Sequence, residues 1–346
     1  MEKIDFVLPW VDSSDIRWQN NRNRYKYGNN DTDDANSEAR FRDMETLKYA
    51  LRAIETNCPW YNKIFLITEG HAPEWLNVDH EKIVLVTHEE LFIDPSHLPV
   101  FNSSAIEMNL VNLKELSDTF IYMNDDFIIF NPVECKRFFK EGKPVDFFSH
   151  HFLPRGKLFE ALKGRDTWIQ SLNHILLLLN QKFTPVQPES KYLFHHTYSF
   201  SDKVNNFLLR YVFRKLIWIS HWHHPQPFLK QTLQDVYRTF PDEMMQCSQN
   251  RFRSNDDLTQ YIYRYWQLIK GDFYPYKHND GLVANLDSFE ILQEMITKLK
   301  TDNTLRFVCF NDSVKLSDIE YTKVKHALLS FLEQHFPKKA SFEKKS

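Results

Sequence analysis

The chain has 346 residues, of which 42% are hydrophobic and 26% are charged, a composition typical of a globular protein with a large core. Lys and Arg number 43 against 46 Asp and Glu, and the formal net charge of −3 excludes a basic field over the whole chain of the kind that favours nucleic acid. Only 7 residues are glycine, and the sequence contains neither a GxGxxG fingerprint nor a Walker A loop. A phosphate ligand would therefore be bound by side chains and a metal ion, not by a glycine-rich backbone loop.

The cysteines and the amino terminus indicate a reducing compartment. Cys58, Cys135, Cys247 and Cys309 are far apart in sequence and form no CxxC pair, which argues against a zinc site or a disulfide framework. The first residues include acidic side chains and lack the apolar core of a signal peptide. No run approaches the roughly 18 apolar residues of a membrane-spanning helix. We therefore predict a cytoplasmic protein.

Short apolar runs alternate with helical patterns, which predicts an α/β fold with a Rossmann-like, mostly parallel sheet. Residues 19–39, rich in Asn, Asp and Arg, predict a mobile excursion that could act as a lid. The strand-like runs are residues 4–9, 63–68, 82–87, 119–123, 127–130 and 305–310. Helices are predicted at 40–57, at 106–116 with a serine cap, and at about 317–336, with a frayed basic tail from residue 338.

The pattern is helical from about residue 150 to 230, and we predict a helical insertion there, within a single catalytic domain that spans residues 1–346. One apolar stripe runs from Trp168 to Leu179. A second, from Phe207 to Trp218, lies among basic residues. Packing of this second segment on the sheet is favoured over contact with an anionic membrane surface or a polyanionic acceptor.

The strand-like run at 119–123 ends in Asn124-Asp125-Asp126. Strand ends of this kind border the ligand crevice in open α/β sheets, and two adjacent carboxylates repel each other unless a cation or a proton relieves them. The alternative, a turn bonded to the local backbone, is favoured for an isolated match. The run at 305–310 ends in the same way, in Asn311-Asp312, and would share the edge if both strands belong to one sheet. A metal site with oxygen ligands is therefore the better explanation.

Candidate ligand-binding residues in the first half of the chain each have a structural alternative. Trp10 and Asp12 follow the first strand and suit a nucleotide base and its ribose or a metal, or else form a loop with an Asx turn. Arg40 and Arg42 could bind a diphosphate or pair with surface acids. Glu107 could be a surface charge in the first turn of a helix, or could project into the crevice.

Histidines and arginines follow the helical region. His221, His223 and His224 precede a proline, which favours one oriented imidazole that acts as a general base or contacts phosphate over a zinc site. Arg251 and Arg253 precede a helix and suit phosphate, whereas a capped helix start with surface charge is the alternative.

These segments, in this order, resemble the Stealth family of sugar-1-phosphate transferases, which build phosphodiester-linked capsular and cell-surface polysaccharides. The animal lysosomal-enzyme N-acetylglucosamine-1-phosphotransferase is similar over the same blocks. The matching stretches are residues 4–15, 40–126 with Pro59-Trp60 and Phe101-Asn102-Ser103, 223–241 with Arg251-Phe252-Arg253, and 307–312.

The resemblance implies a GT-A-like nucleotide-sugar fold, a UDP-sugar donor and a divalent metal, Mg2+ or Mn2+. The implied reaction transfers a hexose 1-phosphate, with N-acetylhexosamine 1-phosphate preferred, to a hydroxyl of a growing polysaccharide and releases UMP. Two alternatives stay open: a metal-dependent glycosyltransferase that releases UDP, and a carbohydrate-binding protein without catalysis. The expected partners are the nucleotide-sugar donor and the acceptor glycan, and nucleic acid is not expected to bind. The protein could also associate peripherally with a membrane-bound polysaccharide assembly at the inner face of the membrane.

The site residues expected from the patterns and the resemblance fall into three groups, and His223 is favoured over His224 as the functional histidine. The catalytic group is Glu107, Asp125, His223 and Arg253; the substrate-binding group is Trp10, Asp12, Arg40, Arg42, Asn102, Ser103, His224 and Arg251; the metal-binding group is Asp126, Asn311 and Asp312.

Overall fold

A computed structural model describes residues 3–26, 42–156, 159–160, 162, 166–186, 188–313 and 315–345. The strands are β1 (Ile4–Pro9), β2 (Ile64–Thr68), β3 (Ile83–Thr87), β4 (Thr119–Tyr122), β5 (Phe127–Ile129), β6 (Phe139–Lys140), β7 (Lys143–Asp146), β8 (His150–His151), β9 (Trp218–Ile219), β10 (Gln226–Leu229), β11 (Tyr274–Pro275), β12 (Gly281–Asn285) and β13 (Phe307–Asn311). The helices are α1 (Ile16–Lys26), α2 (Leu47–Asn57), α3 (His88–Leu91), α4 (Ser103–Asn109), α5 (Thr167–Lys182), α6 (Ser190–Leu193), α7 (Phe200–Leu208), α8 (Lys230–Thr239), α9 (Pro241–Gln249), α10 (Tyr261–Lys270), α11 (Phe289–Thr301) and α12 (Asp318–His335).

The main sheet has the strand order β10-β4-β1-β2-β3, and all its pairs are parallel except that of β10 with β4. The predicted α/β fold with a mostly parallel sheet is therefore confirmed. Side chains alternate along each strand, so that Val7 and Phe120 contribute to one hydrophobic cluster, and Phe6 and Ile121 contribute to the other. Helices α4, α5 and α8–α10 cover the first face, whereas α2, α11 and α12 cover the second.

A second sheet brings the other strand end to the same place. Its order is β12-β13-β5, and the chain enters it directly from β4 through the turn that contains Asp126. The condition for a shared edge, that both acid-ended strands belong to one sheet, is therefore not met. The antiparallel pairing of β5 with β13 sets Phe127 opposite Cys309, and the amide of Phe310 donates to the carbonyl oxygen of Asp126 at 3.2 Å. This pairing joins the two strand ends.

The carboxy-terminal segment is packed, so the predicted frayed tail is wrong for the described residues 338–345. Phe342 is fully buried in the cluster on the α2 face. The buried guanidinium of Arg52 donates to Glu343 through Nε at 2.6 Å and Nη2 at 3.0 Å, and to the carbonyl oxygen of Phe336 at 2.8 Å. An aromatic ring and a compensated charge thus hold this segment against α2.

Three local predictions also differ from the structure. Helix α1 occupies the start of the expected excursion at 19–39, and the rest of that excursion lies outside the described residues. The predicted helix at 40–57 begins only at Leu47. Asn102, not a serine, caps α4, since its side chain accepts from the amide of Ser104 at 3.1 Å.

The region from 150 to 230 contributes α5, α6, α7 and the short β8–β9 pair. The stripe of α5 is buried, as the spacing predicts, at Leu172, Ile175 and Leu179. Sheet packing of the second stripe is wrong for much of its length, because Phe207 and Tyr211 are exposed. The description of this region as an insertion within a single domain stays a prediction. Among the described residues, no helix is long and apolar enough to cross a membrane.

Candidate active site

A crevice of about 510 Å³ opens at the carboxyl ends of β1, β4, β12 and β13. Trp10 lies at the end of β1, the Asn124-Asp125-Asp126 turn follows β4, and Asn311 ends β13. This edge is where open α/β sheets bind ligands. The two strand ends singled out in the sequence therefore line the same crevice, as expected, although they belong to two sheets.

Carboxylates dominate the crevice. Burial raises the pKa of Asp125 well above its usual range, and the charges of Asp43 and Asp126 raise it further. Asp43, which sequence reasoning missed, has a raised pKa itself, first because of burial. Its only sequence signal is its place beside Arg42 at the approach to a helix. Clustered carboxylates of this kind favour a cation or a shared proton.

Asp126 is a crevice carboxylate with one oxygen that lacks a hydrogen bond from the described residues. Its Oδ2 accepts from the thiol of Cys309, with a sulfur–oxygen distance of 3.4 Å, while its buried Oδ1 has no hydrogen-bond partner in the described part of the chain. Asp126, His223 and Cys309 each offer a ligand atom, and these atoms lie within 4.8 Å of one another. The group could hold a metal ion. Its thiol member was not foreseen, because a lone cysteine within an apolar strand resembles a core residue.

The other expected metal ligands have partners of their own. Asp312 accepts from Arg42 through Nε at 3.2 Å and Nη2 at 3.3 Å, and Arg42 also lies 4.2 Å over the ring of Tyr321. Burial raises the pKa of Asp312, and the charge of Arg42 opposes that rise. Asn311 donates through Nδ2 to Asn285 at 2.6 Å. The expected set of Asp126, Asn311 and Asp312 shares the crevice, but Asp312 and Arg42 neutralise each other there.

Arg253 and Arg251 lie in different environments. Arg253 lines the crevice, and its Nη2 donates to the hydroxyl of Ser103 at 3.2 Å. Arg251 does not line the crevice; it donates to the carbonyl oxygens of Ser96 at 2.7 Å and Leu98 at 3.2 Å. Of the two guanidiniums, the structure brings only that of Arg253 to the carboxylates.

Asn102 lines the crevice but is fully buried and held by internal bonds. Its Nδ2 donates to the carbonyl oxygens of Asn250 at 3.2 Å and Phe252 at 3.3 Å, and to Asp257 at 2.9 Å. Because all three acceptors flank Arg253, Asn102 fixes the loop that carries this guanidinium.

Glu107 lies buried behind the crevice wall, so its interpretation as a surface charge is wrong. Its carboxylate accepts from the hydroxyl of Tyr122 at 2.8 Å and from the amide of Gln260 at 2.7 Å. Burial raises the pKa of Glu107 to about 7, and these two hydrogen bonds and the charge of Arg253 oppose the rise. With both oxygens engaged, Glu107 positions its neighbours and does not reach into the crevice.

The two neighbouring histidines face different surroundings. The ring of His223 lies edge-on to Phe127 with centroids 4.9 Å apart, beside Asp126. His224 lies away from the carboxylates and donates through Nδ1 to the carbonyl oxygen of Pro225 at 2.8 Å. Burial lowers the pKa of His224 to about 3, which keeps it neutral. Both rings line a second cavity of about 470 Å³.

The remaining expected residues lie at the first strand end. Trp10 lines the crevice, with its ring edge-on to His71 at 5.2 Å. Asp12 does not; its Oδ1 accepts from the amide of Ser14 at 2.9 Å and from its hydroxyl at 2.6 Å, the Asx turn of the alternative interpretation. Arg40 lies outside the described residues.

A carboxylate-lined crevice at strand ends of an α/β fold, with an imidazole and a guanidinium nearby, defines the site of an enzyme rather than of a structural protein. Family models place the chain more closely. Stealth protein conserved regions 2, 3 and 4 match residues 40–146, 222–265 and 298–346.

Three curated relatives align over almost all of the chain. The capsular polysaccharide phosphotransferase WcwK of Streptococcus pneumoniae is 34% identical, over 100% of this chain and 99% of that protein. The receptor polysaccharide phosphotransferase WefC of Streptococcus gordonii is 32% identical over 99% of both, and the exopolysaccharide phosphotransferase cps2G of Lactiplantibacillus plantarum is 30% identical over 99% of this chain and 96% of its own. The chain belongs to the Stealth family and is a transferase, which confirms the resemblance.

Among solved structures, the galactosyltransferase LgtC aligns over 95% of both chains with 9% identity and a TM-score of 0.38. A similarity at this level supports no conclusion about the site.

Proposed function

We propose that the protein transfers a hexose 1-phosphate, preferably N-acetylhexosamine 1-phosphate, from a UDP-sugar to a hydroxyl of a growing polysaccharide, forming a phosphodiester and releasing UMP. The curated relatives are named as phosphotransferases of capsular, receptor and extracellular polysaccharides. The observation that carries the proposal is the buried Oδ1 of Asp126, which has no hydrogen-bond partner among the described residues, in a crevice that also contains Arg253 and borders His223.

A divalent cation, Mg2+ or Mn2+, fits this crevice. Asp126 would hold it through the oxygen that has no partner among the described residues, and Asn311 and Asp312 face the same space. Asp312 would join once Arg42 exchanged it for a diphosphate oxygen, because a guanidinium binds either anion in the same bidentate manner. When bound, the cation would supply positive charge to the donor diphosphate.

The protein's own groups position the donor. Arg253, held by Ser103, would stabilise the oxygens of the transferred phosphoryl group, and Trp10, which lines the crevice, would stack on the uracil ring. Positioning and electrostatic stabilisation supply most of the catalysis in phosphoryl transfer. Asn102 and Glu107 do not contact the donor in this proposal. Their hydrogen bonds to Asn250 and Gln260 fix the backbone on either side of Arg253.

His223 is the group we assign as general base. It takes the proton of the acceptor hydroxyl while that oxygen forms a bond to the β-phosphorus. The bond from the β-phosphorus to the bridging oxygen breaks, and UMP leaves with the electron pair. The C1–O bond of the sugar is untouched, so its anomeric configuration is kept. Asp125 is the less suitable base, because its raised pKa favours the protonated form in the absence of a cation.

The second cavity suits the acceptor, because it adjoins the crevice at His223 and its lining is neutral. Burial lowers the pKa of His221 well below its usual range and that of His278 to about 4, so these imidazoles are uncharged. The ammonium of Lys277 is paired with Asp202 at 2.6 Å. Neutral donors and acceptors beside the indole of Trp222 match the hydroxyls and ring faces of a saccharide.

We further propose a cytoplasmic location with peripheral association at the membrane.

The decisive experiment identifies both products with UDP-sugar donors and a hydroxyl-bearing acceptor glycan. Release of UMP, with the acceptor gaining the mass of a hexose phosphate, is the expected result. Release of UDP, with a gain of the hexose alone, would establish the metal-dependent glycosyltransferase instead. Glycan binding without turnover across a panel of donors would leave the carbohydrate-binding protein.

A further inference from the structure

Helix α7 has an inverted polarity, and a π-helical turn, Leu209–Phe213, follows it. The side of α7 that faces the protein is polar, whereas the turn buries the side chain of Leu209. Asp202 accepts from the hydroxyl of Ser149, and Asn206 donates to the carbonyl oxygens of Phe148 at 2.7 Å and Leu193 at 2.9 Å. Internal hydrogen bonds, not an apolar stripe, thus attach this helix to the protein, which is the reverse of an ordinary surface helix.

The side that faces solvent is apolar. Phe200, Val204, Phe207 and Tyr211 follow a spacing of three and four residues, which sets them on one helix face. Phe200 is 84% exposed, Phe207 is 51% exposed and Tyr211 is 50% exposed. The rings of Phe207 and Tyr211 touch, with centroids 4.8 Å apart.

Neighbouring loops extend this surface. Val212 and Phe213 are exposed at the end of the turn, and Phe152 stacks on Phe213 with centroids 6.5 Å apart. Leu153, beside it, is 71% exposed. We call the exposed side chains of these residues the aromatic face; they are Phe152, Leu153, Phe200, Val204, Phe207, Tyr211, Val212 and Phe213. A monomer rarely exposes so many large apolar groups together unless the surface has a partner.

The segment that carries most of the aromatic face has charged residues of one sign. The sequence from Lys203 to Ser220 contains Lys203, Arg210, Arg214 and Lys215 and no acidic residue. Asp202, just before it, faces inward and pairs with Lys277. The chain as a whole has a net charge of −3, so this segment is a local reversal of sign.

We propose that the aromatic face docks on an anionic phospholipid membrane, with its rings at the headgroup boundary and its basic residues on the lipid phosphates. Exposed Phe, Tyr and aliphatic side chains on a helix flanked by Lys and Arg are the chemistry of an interfacial helix. The inference rests on the proposed function, because docking would serve an acceptor that grows on a membrane-bound assembly.

Two other occupants fit less well. A second copy across a two-fold axis would set the four basic residues of each chain near those of its partner, which opposes association. A soluble polysaccharide can stack on aromatic rings, yet the exposed Leu153, Val204 and Val212 offer it neither hydrogen bonds nor a flat ring.

The test is co-sedimentation of the full chain with vesicles of phosphatidylglycerol and phosphatidylcholine, compared with vesicles of phosphatidylcholine alone. Binding to the anionic vesicles, weakened by salt, is expected. Phe207→Ser with Tyr211→Ser should weaken it at least tenfold, and Arg214→Gln with Lys215→Gln should weaken it roughly fivefold per charge. Ile319→Ser is the matched control, because Ile319 is 84% exposed on α12, outside the aromatic face, and its loss should change nothing.

Equal binding of wild type and variants to anionic vesicles, or binding to soluble polysaccharide but not to vesicles, would overturn the inference. A wild-type dimer that the Phe207 and Tyr211 substitutions dissociate would do the same, in favour of a second copy. Turnover of a soluble acceptor should be the same in all these variants. If the wild type binds vesicles but gives no UMP, the proposed reaction fails while docking stands.

Discussion

The crevice and the second cavity lie on either side of His223 and have opposite electrostatics. In the crevice, burial raises the pKa of Asp125 and Asp126, so it opposes the ionisation of these carboxylates. In the second cavity, burial lowers the pKa of His224 to about 3 and that of His278 to about 4. The same desolvation therefore opposes negative charge in the crevice and positive charge on the imidazoles of the second cavity. The difference indicates a charged ligand on one side and an uncharged one on the other.

Asp126→Asn is expected to have the largest effect, because it removes charge at the oxygen that would hold the cation. Steady-state turnover should fall about a thousandfold or more, as for the loss of a principal electrostatic group. Chelation of divalent metal should have a similar effect. Asp235→Asn is the control, because Asp235 is a half-buried carboxylate on α8 that does not line the crevice. Full activity of wild type in a chelator would remove the premise that the crevice needs a cation.

The substitutions His223→Asn and His224→Asn, at adjacent positions, test the crevice and the second cavity separately. Loss of a general base at His223 should lower kcat by about a hundredfold to a thousandfold. His224→Asn should mainly raise KM for the acceptor, because His224 lines the second cavity and not the crevice. If His224→Asn were the more damaging to kcat, the assignment of the base would be wrong.

Arg253→Lys and Arg251→Lys form a second matched pair. A lysine cannot replace a bidentate guanidinium, so turnover of Arg253→Lys should fall about tenfold to a hundredfold. Arg251→Lys should change kcat little, since Arg251 donates to backbone carbonyl oxygens outside the crevice. Unchanged kinetics of Arg253→Lys would leave Arg253 with a structural role only.

The smallest expected effect is on the pH dependence of the free energy of unfolding. A histidine with a lowered folded pKa stabilises the fold above the unfolded pKa of about 6.5, and this contribution is lost as pH falls toward the folded value. His224→Asn should therefore flatten the decline in the free energy of unfolding between about pH 6.5 and pH 5, by roughly 1–2 kcal/mol. His326→Asn removes an exposed imidazole as control. A slope unchanged in His224→Asn would show that His224 does not contribute to it.

The crevice should respond in the opposite direction. Asp125 and Asp126 have raised folded pKa values, so their neutral forms stabilise the fold at low pH and this contribution is lost as pH rises. Added Mn2+ should therefore raise the melting temperature more at high pH than at low pH, and Asp126→Asn should abolish that difference. An equal shift at all pH values would contradict this account.

Local patterns in the sequence predict much of the fold. Apolar runs with punctuating residues locate β1, β2 and β3 to within a residue, and the polar ends of β4 and β13 correctly point to one crevice. The features that the sequence does not predict depend on contacts between segments that are distant in the chain. The pairing of β5 with β13, which brings Cys309 to Asp126, has no signal in either segment alone. The same holds for the Arg42–Asp312 pair, whose members are individually plausible as ligand-binding groups.

The prediction of which face of α7 is buried is also wrong, and the error has a physical cause. Apolar spacing predicts a buried face only if the opposite face is polar and solvated. In α7 the polar side chains of Asp202 and Asn206 find internal partners, so burial selects them and exposes the phenyl rings. Sequence spacing alone does not reveal which side has partners.

The buried guanidinium of Arg52 has a consequence for biosynthesis. Its carboxylate partner Glu343 lies 291 residues further along the chain, and Glu333 also accepts from it at 3.0 Å. While the chain emerges from the ribosome, α2 therefore carries a cation at a position that becomes buried only when these acids arrive. A charge without a partner opposes burial, so the α2 face of the main sheet should stay open until translation has passed residue 343. Chaperones would have longest access to that face.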